Sequence, residues 1–95
     1  MKINVKKSVL KEVEKAPKSI KELVAENIKA LMKAESISEL NNIKSMEGTE
    51  KPYYRLKLRT HRLLVHYEKE TNTVTIHALT HRKDTYKKEN LPWRK

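Results

Sequence analysis

The strongest constraint on the fold of this chain is an alternation of charged and apolar residues over Tyr54–Tyr67. Residues two apart in an extended strand share a face, so Arg55, Lys57 and Arg59 are expected to project from one side of a sheet. Apolar residues fill the positions between them. The expected core face carries Tyr54, Leu56, Leu58, Leu63, Val65 and Tyr67, and the opposite face also carries Arg62, Leu64 and His66. The sequence therefore predicts a sheet with one apolar face and one cationic face.

The residues before this sheet predict a short strand followed by a helical hairpin. Ile3 and Val5 alternate with polar residues, which indicates a first strand ending near Lys7. Ser8 is expected to cap a short helix that Pro17 ends, and the same proline suits the first turn of a second helix. An alternative start is a capping box of Ser19 and Glu22. The first apolar stripe is Val9, Leu10, Val13 and Ala16, and the second is Ile20, Leu23, Val24, Ile28, Leu31 and Met32, continuing to about Ala34.

Three further strands are expected at residues 53–59, 61–69 and 73–80, joined by tight connections at Thr60 and at 70–72. The segment Ser36–Gly48 has a weak pattern that fits a turn of helix or a covering loop. In the last strand the expected core residues are Val74, Ile76 and Ala78, and the expected cationic-face residues are Thr75, His77 and Leu79. The prediction is a single α+β domain over residues 1–95, in the order β-α-α-β-β-β. The helical hairpin covers an antiparallel sheet of three to four strands, followed by a short C-terminal segment.

The charge balance restricts the partners. Lysine and arginine number 22 against 12 acidic residues, a formal net charge of +10, which favours polyanionic partners such as nucleic acid or an acidic protein segment. The chain has no cysteine, and no carboxylate is interleaved with its four histidines, so neither a disulfide framework nor a metal site is expected. No apolar run is long enough for a signal peptide or a membrane span, so a cytoplasmic protein is expected, with no membrane partner, no cofactor and no small-molecule ligand.

The order and spacing of several segments resemble a known family. A first strand and a proline-broken helical hairpin precede Tyr-Arg-Leu-Lys-Leu at 54–58, Arg-Leu-Leu-Val-His-Tyr at 62–67 and His-Arg-Lys-Asp-Thr-Tyr at 81–86. Together these segments resemble the RelE/ParE superfamily of bacterial toxin–antitoxin toxins over nearly the whole chain.

The resemblance implies a toxin that a cognate antitoxin protein neutralises. In the RelE branch it further implies a metal- and cofactor-independent endoribonuclease that cleaves messenger RNA on the ribosome. The positions that match the site of this branch are Arg55, Lys57, Arg62, Arg82 and Tyr86. Arg55 stands where the family often has lysine, and since a guanidinium hardly deprotonates, we do not expect proton transfer at this position.

The chemistry of RNA cleavage suits the same residues. Attack by the 2′-OH requires a group that takes its proton, charge stabilisation at the phosphorus and a proton for the leaving 5′-oxygen. Lys57 lies two residues from Arg55 and from Arg59, and these like charges disfavour its protonated form, as a base requires. Arg62 and Arg82 suit charge stabilisation because a planar guanidinium binds phosphate oxygens in a bidentate way.

The remaining candidates supply protons or bind RNA. Tyr86 offers either a ring on which a base stacks or a hydroxyl for the proton network. His81, and less favourably His66 or His77, could donate a proton near neutral pH. The residues expected to bind RNA are Arg55, Arg59, His66, His77, Lys83 and Lys87.

Each assignment has a structural alternative. The alternating cations could form only the solvated face of an amphipathic sheet, Arg62 could pair with an acid such as Glu68, and Tyr86 could close the sheet edge by packing. Two other functions also fit. One is a ParE-like toxin that poisons DNA gyrase by protein binding, and the other is a non-catalytic nucleic-acid-binding module.

Overall fold

The computed structural model describes residues 1–46 and 53–83. In chain order, its elements are β1 (Lys2–Val5), α1 (Lys7–Lys15), α2 (Lys18–Lys33), a 3-10 turn (Ile37–Glu39), β2 (Ile43–Ser45), β3 (Tyr53–Leu58), β4 (His61–Glu68) and β5 (Thr73–His81). The predicted α+β class, the helical hairpin and the three consecutive antiparallel strands are confirmed.

The described strands form one sheet in the order β1-β5-β4-β3-β2. The first strand lies at one edge and pairs in parallel with β5, whereas all other pairs are antiparallel. The sheet therefore has five strands and is mixed, where the sequence predicted three to four antiparallel strands. The additional strand is β2, whose three residues are too few to show a clear alternation.

The helices end as predicted but begin differently. Lys6 is the N-cap of α1 and no side chain caps this helix, so the assignment of Ser8 as the cap was wrong. The helix ends at Lys15, and Ala16 is extended with ψ of 157° because the residue before a proline avoids helical geometry. Pro17 is the N-cap of α2, which begins at Lys18 without a side-chain cap. A capping box forms instead at the 3-10 turn, between Ser36 and Glu39.

The core lies between the helical hairpin and one face of the sheet. Its buried members are Val9, Ile20, Val24, Leu31, Leu56, Leu58, Leu63, Val65, Val74, Ile76 and Leu79. Leu10 and Met32 were predicted to join it but are 54% and 59% exposed. Each directly follows a buried residue, and a step of one residue turns the side chain by about 100° around the helix axis, away from the sheet.

A β-bulge in β5 corrects the predicted faces of its last residues. Leu64 pairs with Ala78 but Val65 pairs with Ile76, so His77 is an extra residue with no partner in β4. Beyond it the side chains exchange faces: Leu79 is buried in the main core and Ala78 packs beside Leu64 on the opposite face. The prediction that Ala78 faces the core and Leu79 the cationic side was therefore wrong, because strict alternation was carried through a bulge.

Candidate functional site

A cavity of about 450 Å³ opens on the cationic face of the sheet, near the β3–β4 turn. Its lining residues come from the entry to β2, from β2, β3 and β4, and from the end of β5; they are Asn41, Asn42, Lys44, Arg55, Lys57, Arg62 and Arg82. We call this cavity the basic pocket. The described residues that line it are five cations and two amides, without a carboxylate among them. Its chemistry is that of an anion site.

The strand register places like charges directly opposite each other in this pocket. Lys44 of β2 pairs with Arg55 of β3, and Lys57 of β3 pairs with Arg62 of β4. Directly opposed side chains in antiparallel strands lie about 5 Å apart at Cβ, where like charges are destabilising. An amphipathic sheet selected only for solubility has no reason to align its cations in this way. Such local conflicts are typical of functional sites.

Arg62 is held in place by the backbone beside it. Its Nη1 donates hydrogen bonds to the carbonyl oxygens of Arg59, at 2.7 Å, and His61, at 2.8 Å. Burial lowers the pKa of Arg62 from its usual value, and the charges of Arg55 and Arg82 lower it further. The proposed pairing with Glu68 does not occur, since Glu68 lies at the other end of β4, about 20 Å away at the rise of a strand. The side chain is thus a fixed cation beside two others.

The bulge at His77 brings Arg82 to the basic pocket. Because of the extra residue, Thr80 pairs with Arg62 on the cationic face, and Arg82, two residues further on, follows the same alternation. The backbone N–H of Arg82 donates to the carbonyl of Thr60 at 2.7 Å, which ties this position to the β3–β4 turn. Uninterrupted alternation would have turned Arg82 toward the opposite face and His81 toward the pocket. A single inserted residue therefore determines which of the two side chains lines the site.

Asn42 fixes Lys57 and joins the site to α2. The backbone N–H of Lys57 donates to the carbonyl of Asn42 at 2.9 Å, and Nδ2 of Asn42 donates to the carbonyl of Lys57 at 3.0 Å. The same Nδ2 donates to Oδ1 of Asn27 at 2.9 Å, and Nδ2 of Asn27 donates to the carbonyl of Leu23 at 2.7 Å. Helix α2 and strand β3 are thus connected through two asparagine side chains.

Other predicted RNA-binding residues lie away from the basic pocket. Arg59 occupies the two-residue β3–β4 turn in a left-handed conformation, with φ of 61°, and is exposed. His66 and His77 form a cluster with Tyr53, with ring centroids 5.0 to 6.1 Å apart. Lys83 is exposed, and its backbone N–H donates to Nδ1 of His81 at 3.3 Å. These four residues therefore do not line the pocket.

The histidines proposed as proton donors are poorly placed for that role. His81 pairs with His61 across the strands, on the face opposite Arg62, and the two rings meet edge to face with centroids 5.4 Å apart. Burial lowers the pKa of His77 to about 4, with smaller contributions from the charges of Lys6 and His66. His77 is therefore neutral near pH 7. Tyr86 and Lys87 lie outside the described residues.

Sequence reasoning missed three residues of the pocket wall: Asn41, Asn42 and Lys44. The signal available was weak, because Asn-Asn followed by Ile43, Lys44 and Ser45 shows a turn and one cycle of alternation. The segment Ser36–Gly48, which contains these residues, had been expected to form a turn of helix or a covering loop, and a strand was not expected there.

Two further properties concern cofactors and membranes. Over residues 1–46 and 53–83, no group of three or more histidine, aspartate or glutamate side chains is placed to hold a metal ion. Within the same residues, no helix combines the length and apolar character needed to cross a membrane.

The fold is that of RelE-type toxins, as the sequence resemblance implied. The RelE–RelB complex of Pyrococcus horikoshii is similar at 22% identity, with 85% of this chain and 93% of that chain covered and a TM-score of 0.72. The RelB–RelE antitoxin–toxin complex of Methanococcus jannaschii is similar at 20% identity, covering 87% and 94%, with a TM-score of 0.74. A double arginine-to-alanine mutant of E. coli RelE in the free state is similar at 17% identity, covering 88% and 85%, with a TM-score of 0.67. No family model matches the chain, and no curated protein matches it by sequence.

Proposed function

We propose that this protein is the toxin of a toxin–antitoxin pair and that it cleaves messenger RNA on the ribosome as a metal-independent endoribonuclease of the cytoplasm. The observation that carries the proposal is the convergence of Arg55, Lys57, Arg62 and Arg82 on the basic pocket. The RelE-type fold supports it, since the similar structures come from toxins and toxin–antitoxin complexes.

The arrangement of the pocket suits cleavage of a phosphodiester by its own 2′-OH. Lys57 is exposed in the pocket wall and takes the proton of the 2′-OH in this proposal. Arg62 and Arg82 flank the phosphate and stabilise the negative charge that develops on its oxygens. Because the backbone carbonyls already orient Arg62, little reorganisation accompanies the reaction.

Arg55 and Tyr86 complete the proposed mechanism. Arg55 holds the RNA backbone, since a guanidinium is a poor base. Tyr86 donates the proton to the leaving 5′-oxygen or stacks on a base. The cleavage products are then a 2′,3′-cyclic phosphate and a 5′-hydroxyl. His81 has no role in this mechanism because its ring contacts His61 on the other face.

The experiment that tests the proposal compares substitutions inside and outside the basic pocket. Arg62→Ala removes one fixed cation, and Lys29→Ala removes an exposed cation on α2 that does not line the pocket. Each variant is induced briefly in bacteria, and the 5′ ends of cellular RNA are sequenced. We expect new RNA ends and growth arrest with the wild type and with Lys29→Ala, and neither with Arg62→Ala. Equal cleavage by both variants would contradict the assignment of the site, and DNA breaks without new RNA ends would favour a gyrase poison.

A cognate antitoxin is the second part of the proposal. Leu10 and Met32 are large apolar side chains exposed on the helical hairpin, and the face across the sheet is strongly basic. We propose that an antitoxin segment with acidic and apolar residues covers one or both of these surfaces. Met32→Glu should weaken the complex if the helices are covered, and added salt should weaken it if the basic face is covered. An affinity that responds to neither change would contradict this part.

A further inference from the structure

A second cavity, of about 510 Å³, adjoins the basic pocket. It lies between the C-terminal half of α2, where Ala30 and Lys33 line it, and the segment Leu40–Asn42 that leads into β2. We call it the α2 groove. Asn41 and Asn42 line both cavities and form their common wall. The two cavities are therefore neighbours on the protein surface.

The lining of the α2 groove differs chemically from that of the basic pocket. Apolar surface comes from Ala30, Ala34 and Leu40, and the charged groups of the groove are the carboxylates of Glu26 and Glu39 and the ammonium group of Lys33. Two carboxylates against one ammonium group repel a phosphate, so the groove is unsuited to continue the anion site. Apolar surface next to a few donors and acceptors suits a nucleobase, whose faces are apolar and whose edges carry hydrogen-bonding groups.

The two asparagines of the common wall differ in how many hydrogen bonds their side chains make. Both hydrogens of the Asn42 amide nitrogen are used, one toward Asn27 and one toward Lys57. Asn41 is exposed, and within the part of the chain that the structure describes its side chain makes no hydrogen bond. A primary amide offers an acceptor and two donors, and it pairs in a bidentate way with the edge of adenine. The Asn41 side chain can therefore form hydrogen bonds to a base at the boundary between the two cavities.

We propose that the α2 groove is a nucleobase subsite for a nucleotide adjoining the phosphate in the basic pocket, and that Asn41 selects the base. This inference rests on the proposed function, because it takes the ligand of the basic pocket to be single-stranded RNA. It assigns to the groove a specificity that the cationic residues cannot provide, since phosphate contacts carry no information about base sequence.

Two variants and two matched controls test the subsite. Asn41→Ala removes the side-chain amide that is proposed to contact the base. Its control is Asn4→Ala, which replaces an exposed asparagine on β1 at the opposite edge of the sheet. Ala30→Leu fills the groove with a good helix former. Its control is Ala25→Leu, an equally conservative change at an exposed position of α2 outside the groove. Thermal unfolding of all four variants verifies that they fold.

The first measurement is the affinity for RNA tetranucleotides blocked against cleavage by 2′-deoxy sugars, with each of the four bases placed at each position in turn. We expect the wild-type protein to bind tetranucleotides with adenine at one position more tightly than those with another base there. In Asn41→Ala this ratio of affinities should fall about tenfold. Ala30→Leu should weaken binding of all tetranucleotides severalfold while leaving the affinity for inorganic phosphate unchanged. Both controls should behave as the wild type does.

The second measurement is the base composition at the cleavage sites in cellular RNA. We expect Asn41→Ala to broaden it and Asn4→Ala to leave it as in the wild type. Base preference and cleavage sites that stay the same in Asn41→Ala and Ala30→Leu would overturn the subsite. If the wild-type protein cuts no RNA, the proposed nuclease function fails, and the tetranucleotide affinities still decide whether the groove binds a base.

Discussion

The free energy of unfolding of this protein should decrease in mild acid because of His77. In the folded protein its pKa is lowered from 6.5 to about 4, first by burial and then by the charges of Lys6 and His66. Between these two values the unfolded chain binds a proton that the folded chain does not bind. The free energy of unfolding therefore decreases as the pH falls through this window. Each pKa unit corresponds to 1.36 kcal/mol, and because solvent reaches this half-buried side chain and screens its neighbours, the loss between pH 7.5 and pH 4.5 is about 1–2 kcal/mol.

The variant that isolates this effect is His77→Phe, which keeps a ring beside Tyr53 and His66 but cannot titrate. Urea unfolding at the two pH values measures the free energy of unfolding, and we expect the variant to lose about 1–2 kcal/mol less than the wild type. A remainder should persist because burial also lowers the pKa of His61. Lys6→Gln, which removes one neighbouring charge, should give an intermediate loss. An equal loss in wild type and His77→Phe would refute the reasoning.

Three further predictions concern the site and its supports. Asn42→Ala should lower the free energy of unfolding by about 1–3 kcal/mol, because it leaves polar partners unsatisfied, whereas Asn41→Ala, which loses no hydrogen bond within the described residues, should change it little. Arg59→Gly should stabilise the protein by about 1 kcal/mol, because glycine adopts the left-handed conformation without strain. The melting temperature should then rise by about 4–8 °C, and a decrease would contradict this. The affinity for uncleavable single-stranded RNA should fall with log salt at a slope of about −0.7 for each phosphate contacted, and a slope near zero would contradict a cationic interface.

Much of the fold follows from the sequence because its periodic segments are long. The alternation over Tyr54–Tyr67 gave β3 and β4 almost to the residue, and the spacing from Ile20 to Leu31 gave α2. The three-residue strand β2 is too short for periodicity to indicate it. The bulge at His77 has no sequence signature in a single chain, because it depends on how β5 pairs with β4.

In the candidate site too, the sequence predicted the residues of long strands and not those placed by long-range contacts. Lys57 and Arg62 lie within strands that the alternation predicted, so their common face was predictable. Arg82 was identified by resemblance to the family, and its access to the pocket depends on the bulge. Asn42 acts through hydrogen bonds to Asn27 and Lys57, each of which is 15 residues away in sequence, and no local pattern predicts contacts of that kind.

Cleavage through the ribose 2′-OH is the step that the basic pocket is proposed to catalyse. The most direct measurement uses ribosomes programmed with messenger RNA that carries a single 2′-deoxy nucleotide on the 5′ side of the mapped cleavage site. We expect the wild-type protein to cut the unmodified messenger to give a 5′-hydroxyl product and to leave the 2′-deoxy messenger intact. We expect Arg62→Ala protein to cut neither. Cleavage of the 2′-deoxy messenger at the same rate as the unmodified one would contradict attack by the 2′-OH.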